Sequence, residues 1–352
     1  MKRETRRTKL HRRRIVKRRQ RRLFNKRRRR QRKILQHTNW FVVSAPESFD
    51  LYTKYYREKV VAFVAKLRDF IVRESRLVVI DFTHTTRMFS DGTLLLKAEL
   101  SRILRIIGHA PRVKCRPPKS EKVSQVLEQV GIYDMLCYRS HVQPSDDDVI
   151  CWRHSSGTGA LGEEYERVLG DLDEKISSRV RTGLYDGIVE AMTNANHHAY
   201  EMLRLDELNH EDRKKEWWMF SQVRDGRLSV TFCDLGIGIP RSLPLKKQGL
   251  WQRLLGTFGK QPSDGEAITA AVEESRSRTA LPHRGKGLKQ LVAAVDKTAE
   301  GSLLIYSNAG CYSCRKRDNG KQERNFDYKG SILGTLICWT LPLDQEARAN
   351  AN

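Results

Sequence analysis

Residues 190–200 read Glu190-Ala191-Met192-Thr193-Asn194-Ala195-Asn196-His197-His198-Ala199-Tyr200. They lie in a stretch from about Gly183 to Leu203 whose apolar spacing predicts one helix. On a helix, Glu190, Asn194 and His198 share a face. A carboxylate and a carboxamide one turn apart suit water activation beside a coordinated Mg²⁺. An exposed polar face has the same spacing, so the helix alone does not separate a site from a solvated surface.

Three downstream segments favour a site. Residues 228–233 predict a strand running into Asp234-Leu235-Gly236-Ile237-Gly238-Ile239-Pro240. Its glycines permit a sharp turn and close backbone approach to a ligand. Arg284-Gly285-Lys286-Gly287-Leu288 leads into an apolar helix over 288–295, and glycines at a helix N-terminus suit anionic phosphates. Gly334-Thr335-Leu336-Ile337-Cys338-Trp339-Thr340-Leu341-Pro342 reads as a closing strand. Each piece alone is compatible with a structural turn; four in this order point to one site. The polar, Gly-containing residues 241–283 predict a lid. Within it, Ser275-Arg276-Ser277-Arg278-Thr279 either touches phosphates or forms an exposed helix end.

Together these segments resemble the GHKL ATPases, the superfamily of DNA gyrase, histidine kinases and the anti-sigma-factor serine kinases. Glu190–Tyr200 is most similar to the last branch. The resemblance spans residues 160–343 and implies a Bergerat-type α/β sandwich, a mixed sheet covered by helices, that binds ATP and Mg²⁺. By it, Asp234 would accept a hydrogen bond from the adenine amino group, and Asn194 would coordinate Mg²⁺. Glu190 would polarise the attacking water or hydroxyl. His198, Gly236, Gly238, Gly285, Lys286 and Gly287 would shape the cofactor pocket and phosphate loop. Thr335 would lie near adenine, with Thr340 as the alternative. Positioning and charge neutralisation carry most of phosphoryl transfer, in keeping with such a set. No dimerisation helix with a phosphoacceptor histidine precedes the site, and no P-loop motif is present.

Residues 40–155 alternate strand and helix signals, which predicts an α/β layer with some parallel pairing. Val60, Phe63, Val64, Leu67, Phe70 and Ile71 mark a helix over about 49–74, and Leu77–Phe82 a buried strand. A helix from Leu94 to Ile107, a strand from Pro111 to Cys115 and a helix after Pro118 come next. The strand ending Ile80-Asp81-Phe82, the turn Phe89-Ser90-Asp91-Gly92 and the helix around Val123–Ile132 resemble a STAS domain. That resemblance implies a protein partner and makes Ser90 a phosphosite, although this turn has Phe89 and Asp91 where the family often has Asp and Ser. Its residue type favours Ser90 as a helix cap instead.

Charge is concentrated ahead of both units. Residues 1–33 hold 20 of the 66 Lys and Arg and one acid, a net of +19 against +24 for the whole chain, so the remainder carries only +5. The arm, taken as residues 1–36, is expected to be helical or disordered. Its runs Arg12-Arg13-Arg14 and Arg27-Arg28-Arg29-Arg30 are expected to bind DNA or RNA phosphates, largely blind to sequence and steeply salt-dependent. An anionic membrane surface, an acidic protein or a nuclear address are the competing readings. No apolar run approaches the roughly 20 residues of a membrane span. Seven cysteines read as reduced thiols in a cytoplasmic protein. Cys311 and Cys314 form a lone CxxC, short of a four-ligand zinc set. Residues 344–352 are expected to be a disordered tail.

The sequence is compatible with three functions. The first is a nucleotide-driven regulatory switch that hydrolyses Mg-ATP, contacts a partner through the STAS-like unit and holds nucleic acid with the arm. The second is a serine/threonine kinase of the anti-sigma type. The third is a non-enzymatic nucleic-acid-binding scaffold, against which Glu190 argues.

Overall fold

The computed structural model describes residues 40–108, 112–159, 163–170, 175–208, 214–277 and 287–343. The arm, with Arg12–Arg14 and Arg27–Arg30, and the tail 344–352 lie outside the described residues. The chain first forms β1 (Phe41–Ser44), β2 (Ser48–Phe49), α1 (Lys54–Arg68) with a π-helical turn (Asp69–Arg73), β3 (Val78–Asp81), β4 (Arg87–Met88) and α2 (Ser90–Ile106). After these stand β5 (Val113–Arg116), α3 (Glu121–Gln129), α4 (Ile132–Met135), α5 (Asp147–Ile150), β6 (Arg153–Gly157) and α6 (Glu163–Leu169). Next come α7 (Ser178–Asn194) with a π-helical turn (Ala195–Ala199), β7 (Trp217–Arg224) and β8 (Arg227–Asp234). Helices α8 (Ile239–Lys246), α9 (Gln248–Phe258), α10 (Asp264–Ser277) and α11 (Lys289–Asp296) precede β9 (Gly301–Ser307), β10 (Gly310–Arg317), β11 (Gly320–Asp327) and β12 (Thr335–Pro342).

The fold is α/β. The first half contains a three-stranded sheet, β1-β3-β5, in which β3 and β5 run parallel. The second half builds a seven-stranded sheet ordered β11-β10-β9-β12-β8-β7-β6. The sequence led us to expect this sheet to be mixed, but every neighbouring pair in it is antiparallel. Tight turns explain why. Asp225 and Gly226 both take positive φ between β7 and β8, the conformation of a two-residue hairpin.

Alternation along these strands serves two interiors. Trp217, Met219, Val230, Phe232, Ile305, Ile337 and Trp339 face one, beneath α7 and α11. Trp218, Phe220, Cys233, Tyr306 and Leu336 face the other, beneath α1 and α2. The stretches expected as separate units at 40–155 and 160–343 therefore share an interior, and the described residues from Val42 onward form one compact unit. On the first face, α7 and α11 approach so closely that a Cβ on Gly183 would lie 2.9 Å from the Ala294 backbone nitrogen.

On the second face, α2 is buried almost all round, so its charges need partners. Glu99 is fully buried and binds Arg68 at 2.7 Å and also Arg204. Burial alone would raise its pKa, but Arg204 and Arg68 outweigh that and hold it down to about 2. Arg102 pairs with Asp206 at 2.5 Å, and Lys97 donates to the Val130 carbonyl at 2.5 Å.

Ser90 is not the cap expected of it. It is the first residue of α2, Phe89 occupies the cap position without a side-chain bond, and the Ser90 hydroxyl accepts from Thr231 of β8 at 3.0 Å. Asp91 takes the nearby amides instead, Gly92 N at 2.6 Å and Leu51 N at 3.2 Å. Residues 241–283, expected as a loop-like lid, include three helices. In α10, Ala267, Ile268, Ala271 and Val272 form a buried helical stripe that scattered Gly and polar residues hide in the sequence. Cys311 and Cys314 lie three apart on strand β10, so they face opposite interiors and cannot share a metal.

Replacing Glu99 with Ala would leave Arg68 and Arg204 buried without their counter-charge. We expect a loss of about 3–5 kcal/mol, read as a lower urea midpoint by circular dichroism; a variant as stable as the parent would contradict this role.

Candidate functional site

The C-terminal part of α7 and its π-helical extension, the end of β8, the start of α8 and the start of β12 enclose one cavity of about 230 Å³. Glu190, Asn194, His198, Asp234, Gly238, Gly287 and Thr335 all line it. Gly236 stands behind the wall, and Gly285 and Lys286 lie outside the described residues. Thr340 is elsewhere, paired across the strands with Ser229 and Ser302. Ser275 turns away and donates to its own helix at Val272 O, 2.7 Å distant. The side chains of Arg276 and Ser277, and residues Arg278 and Thr279, are outside the described set.

Strand pairing builds the back wall. Thr335 of β12 is paired with Asp234 of β8 and with Ser307 of β9. Ser307 donates to Gly334 O at 3.2 Å and accepts from Ile239 N at 2.8 Å. The Asp234 carboxylate accepts Gly236 N at 2.9 Å and also bonds with Thr335. A Cβ at Gly236 would lie 2.2 Å from Ala199 O, so only glycine lets the turn reach the π-helical end of α7. Gly238 has φ +79° and abuts Asn308, whose amide donates to Ile237 O at 2.9 Å.

The polar groups are spaced for chemistry. Asn194 Nδ2 donates to Glu190 Oε1 at 2.8 Å, the i, i+4 relation expected on one helix face. Burial raises the Glu190 pKa, with Asn194 opposing. Burial lowers that of His198, whose Nδ1 is shut from water without a hydrogen-bond partner. Asp234 is pushed up to about 6 by burial against its backbone and Arg204 neighbours. Apolar Ala191, Ile239, Leu243, Ala271, Leu288 and Ile337 complete the lining, with Lys246, Lys247 and Ser242.

Sequence reading missed this apolar wall and the two lysines. Lys246 and Lys247 stand one short helix beyond the glycine turn, and that proximity was the available signal. Together the lining offers a buried hydrogen-bond acceptor, a carboxylate–carboxamide pair and cationic groups around an apolar pocket. That set suits a planar polar ring joined to an anionic group. Among the described residues, no three His, Cys, Asp or Glu side chains form a metal-binding group. No protein-family model matches the chain, and no curated protein matches it either.

Because burial raises Asp234 from 3.8 to about 6, the folded chain holds this proton more tightly than the unfolded chain. Its contribution therefore lowers stability as pH rises through that window, by about 3 kcal/mol, and levels off above it. Asp234→Asn should flatten the decline in urea midpoint across the same window. Parallel declines in parent and variant would refute the assignment.

Proposed function

We propose that the chain is a GHKL-type ATPase whose cavity binds Mg-ATP and works as a nucleotide-driven regulatory switch. The convergence of Glu190, Asn194, Asp234, Gly238, Gly287 and Thr335 on one cavity carries this reading. These residues were selected from four separate segments by their resemblance to one family, and they line the same space.

The donor set fits the nucleotide. Asp234, once ionised, has acceptor capacity beyond its Gly236 and Thr335 bonds for an exocyclic amino group. The apolar lining suits a base, and Gly287 with Lys246 and Lys247 suits phosphates. Mg²⁺ commonly takes only one or two protein ligands, with phosphate oxygens and water supplying the rest. The Asn194 carbonyl oxygen would be such a ligand, since its amide nitrogen is bonded to Glu190. The metal would neutralise phosphate charge when bound. Glu190 would orient and deprotonate the attacking water, a task for which a raised carboxylate pKa is suited.

The α1–α2 face of the sheet would serve a protein partner, in the manner of the STAS resemblance. Ser90 bonds Thr231 on that face, whereas the cavity lies on the other, so transfer from the cavity to Ser90 of the same chain would have to cross the sheet. This favours hydrolysis, or a kinase acting on a separate protein, over self-modification at Ser90. No disulfide links any of the seven cysteines, which supports a reducing, cytoplasmic setting. Among the described residues, no helix is long and apolar enough to cross a membrane. The arm would hold DNA or RNA.

Calorimetric titration should show Mg-dependent ATP binding that Asn194→Ala abolishes without changing the circular dichroism spectrum. Glu190→Gln should keep binding and lose about 10²–10⁴-fold in turnover. With γ-labelled ATP, free phosphate supports the switch and label on an added protein supports a kinase. Unchanged affinity in Asn194→Ala would overturn the metal assignment. Separately, deleting residues 2–33 should remove most nucleic-acid affinity and most of its salt dependence, measured by fluorescence anisotropy from low to high salt.

A further inference from the structure

The free edge of the seven-stranded sheet has a composition that the nucleotide cavity does not explain. Strand β11 is its outermost strand and is exposed along its whole length. It pairs with β10 in a register that sets Arg315 opposite Gln322, Ser313 opposite Arg324 and Cys311 opposite Phe326. Alternation therefore puts Arg315, Arg317, Gln322, Arg324 and Phe326 on one face of the hairpin. Cys311 faces the α1–α2 interior, and Arg315 donates to the Tyr52 hydroxyl just ahead of α1, which identifies the side.

The hairpin's acids lie elsewhere. Glu323 pairs with Lys321, and Asp327 accepts from Ser263 and Gly265 at the start of α10, both on the opposite face. Asp318 is in the turn. The opposite side meets α10, as the contact of Asn325 with Thr269 shows. The Arg315 side is open: Phe326 is 45% exposed.

Aromatic rings continue this face onto α1. Tyr52 and Tyr55 are 55% and 60% exposed, and Tyr56 stacks edge-on against Tyr55 with centroids 5.2 Å apart. Each ring is held by a cation: Arg315 lies 5.1 Å over Tyr52, Lys59 4.0 Å over Tyr55 and Arg87 5.2 Å over Tyr56. The hydroxyls of Tyr55 and Tyr56 accept from the same Lys59 and Arg87, at 2.5 and 2.9 Å. Tyr52 and Tyr55 are thus fixed in place while remaining open to solvent, and Tyr56 is half-buried beside them. Fixed aromatics amid guanidinium groups, with no acid on the strand face, match what binds single-stranded nucleic acid: stacking platforms for bases and cations for phosphates. The exposed β11 side of the hairpin face, from Gly320 to Phe326, is about 20 Å long, at about 3.4 Å per residue, enough for a few bases.

We propose that the open face of the β10–β11 hairpin, with Tyr52 and Tyr55 beside it, is a binding surface for single-stranded nucleic acid. It shares no residue with the nucleotide cavity or with the basic arm. A duplex keeps its bases stacked inside and cannot use the rings in this way.

The test uses the full chain and a fluorescent oligo(U) of about 12 nucleotides, with a duplex of equal length as control. Tyr52→Ala combined with Phe326→Ala should weaken oligo(U) binding about tenfold or more and duplex binding less than about twofold. Because Tyr52 also bonds Arg315, Arg324→Glu with Phe326→Ala serves as a second variant that touches only exposed side chains. Photo-crosslinking of 4-thiouridine-bearing oligo(U) should label peptides containing Tyr52, Tyr55 or Phe326. Unchanged oligo(U) affinity in the second variant, equal losses for single strand and duplex, or crosslinks confined to residues 1–39 would each overturn the proposal. Competition by polyglutamate as strong as by unlabelled oligo(U) would also overturn it, since the surface would then read charge alone.

Discussion

Burial of the central strands of the seven-stranded sheet on both faces is the constraint on which the other features depend. A sheet covered once alternates apolar and polar residues; one covered twice must be apolar at every step. Strands β7, β8 and β12 obey this with Trp217-Trp218-Met219-Phe220, Val230-Thr231-Phe232-Cys233 and Leu336-Ile337-Cys338-Trp339. Covering the second face takes α2, and α2 brings charges into a dry interior. Arg204 resolves part of that difficulty by meeting Glu99 on one side and the carbonyls of Ile332 and Leu333 on the other, the latter at 2.6 Å. Those carbonyls immediately precede Gly334 and Thr335. The ion pair that makes α2 tolerable thus also anchors the segment that begins the back wall of the cavity.

The cavity's electrostatics share one cause. Burial pushes Asp234 and Glu190 toward their protonated forms and His198 toward its neutral form. Each shift favours the less charged state, as expected where water is scarce. A ligand that brings hydrogen-bond donors to Asp234 reverses that preference locally and draws its pKa down, so proton release and ligand binding are linked. The arrangement is selective for the same reason. A ring offering an acceptor where Asp234 needs a donor leaves a buried carboxylate unsatisfied, which costs more than a hydrogen bond gains.

Much of this site was legible in the amino-acid sequence, because local rules govern its parts. Helical spacing aligned Glu190 with Asn194, and the glycines at 236 and 238 announced a turn that a Cβ would block. The apolar runs of β8 and β12 were legible as strands. Their pairing direction was not, since Asp234 and Thr335 meet across residues 235–334 and no local turn sets it. Ser90 was misread because residue type favours capping, whereas a tertiary contact with Thr231 decides its place. Cys311 and Cys314 looked like half a metal site until the strand under them set their side chains on opposite faces. The hairpin surface was hidden as well. Arg315, Arg324 and Phe326 are scattered along the sequence, and only the β10–β11 register gathers them on one side.

Where a ligand in this cavity would move the protein depends on how its interior is divided. The sheet, α2, α7 and α11 belong to two large apolar clusters and cannot shift without disrupting close packing. Above the cavity, α8 and α9 rest with one side of α10 on a small cluster of Leu243, Leu250, Ala267 and Ala271. Ile239 and Leu288 connect that cluster to the larger one, and both line the cavity. Few apolar contacts mean a low local free energy of opening. Ligand contacts to Ser242, Leu243, Lys246 and Lys247 therefore act on the part of the molecule least able to resist them. The rigid wall holding Asp234 and Thr335 sets which ligand enters, and the weakly packed helices set what its arrival changes.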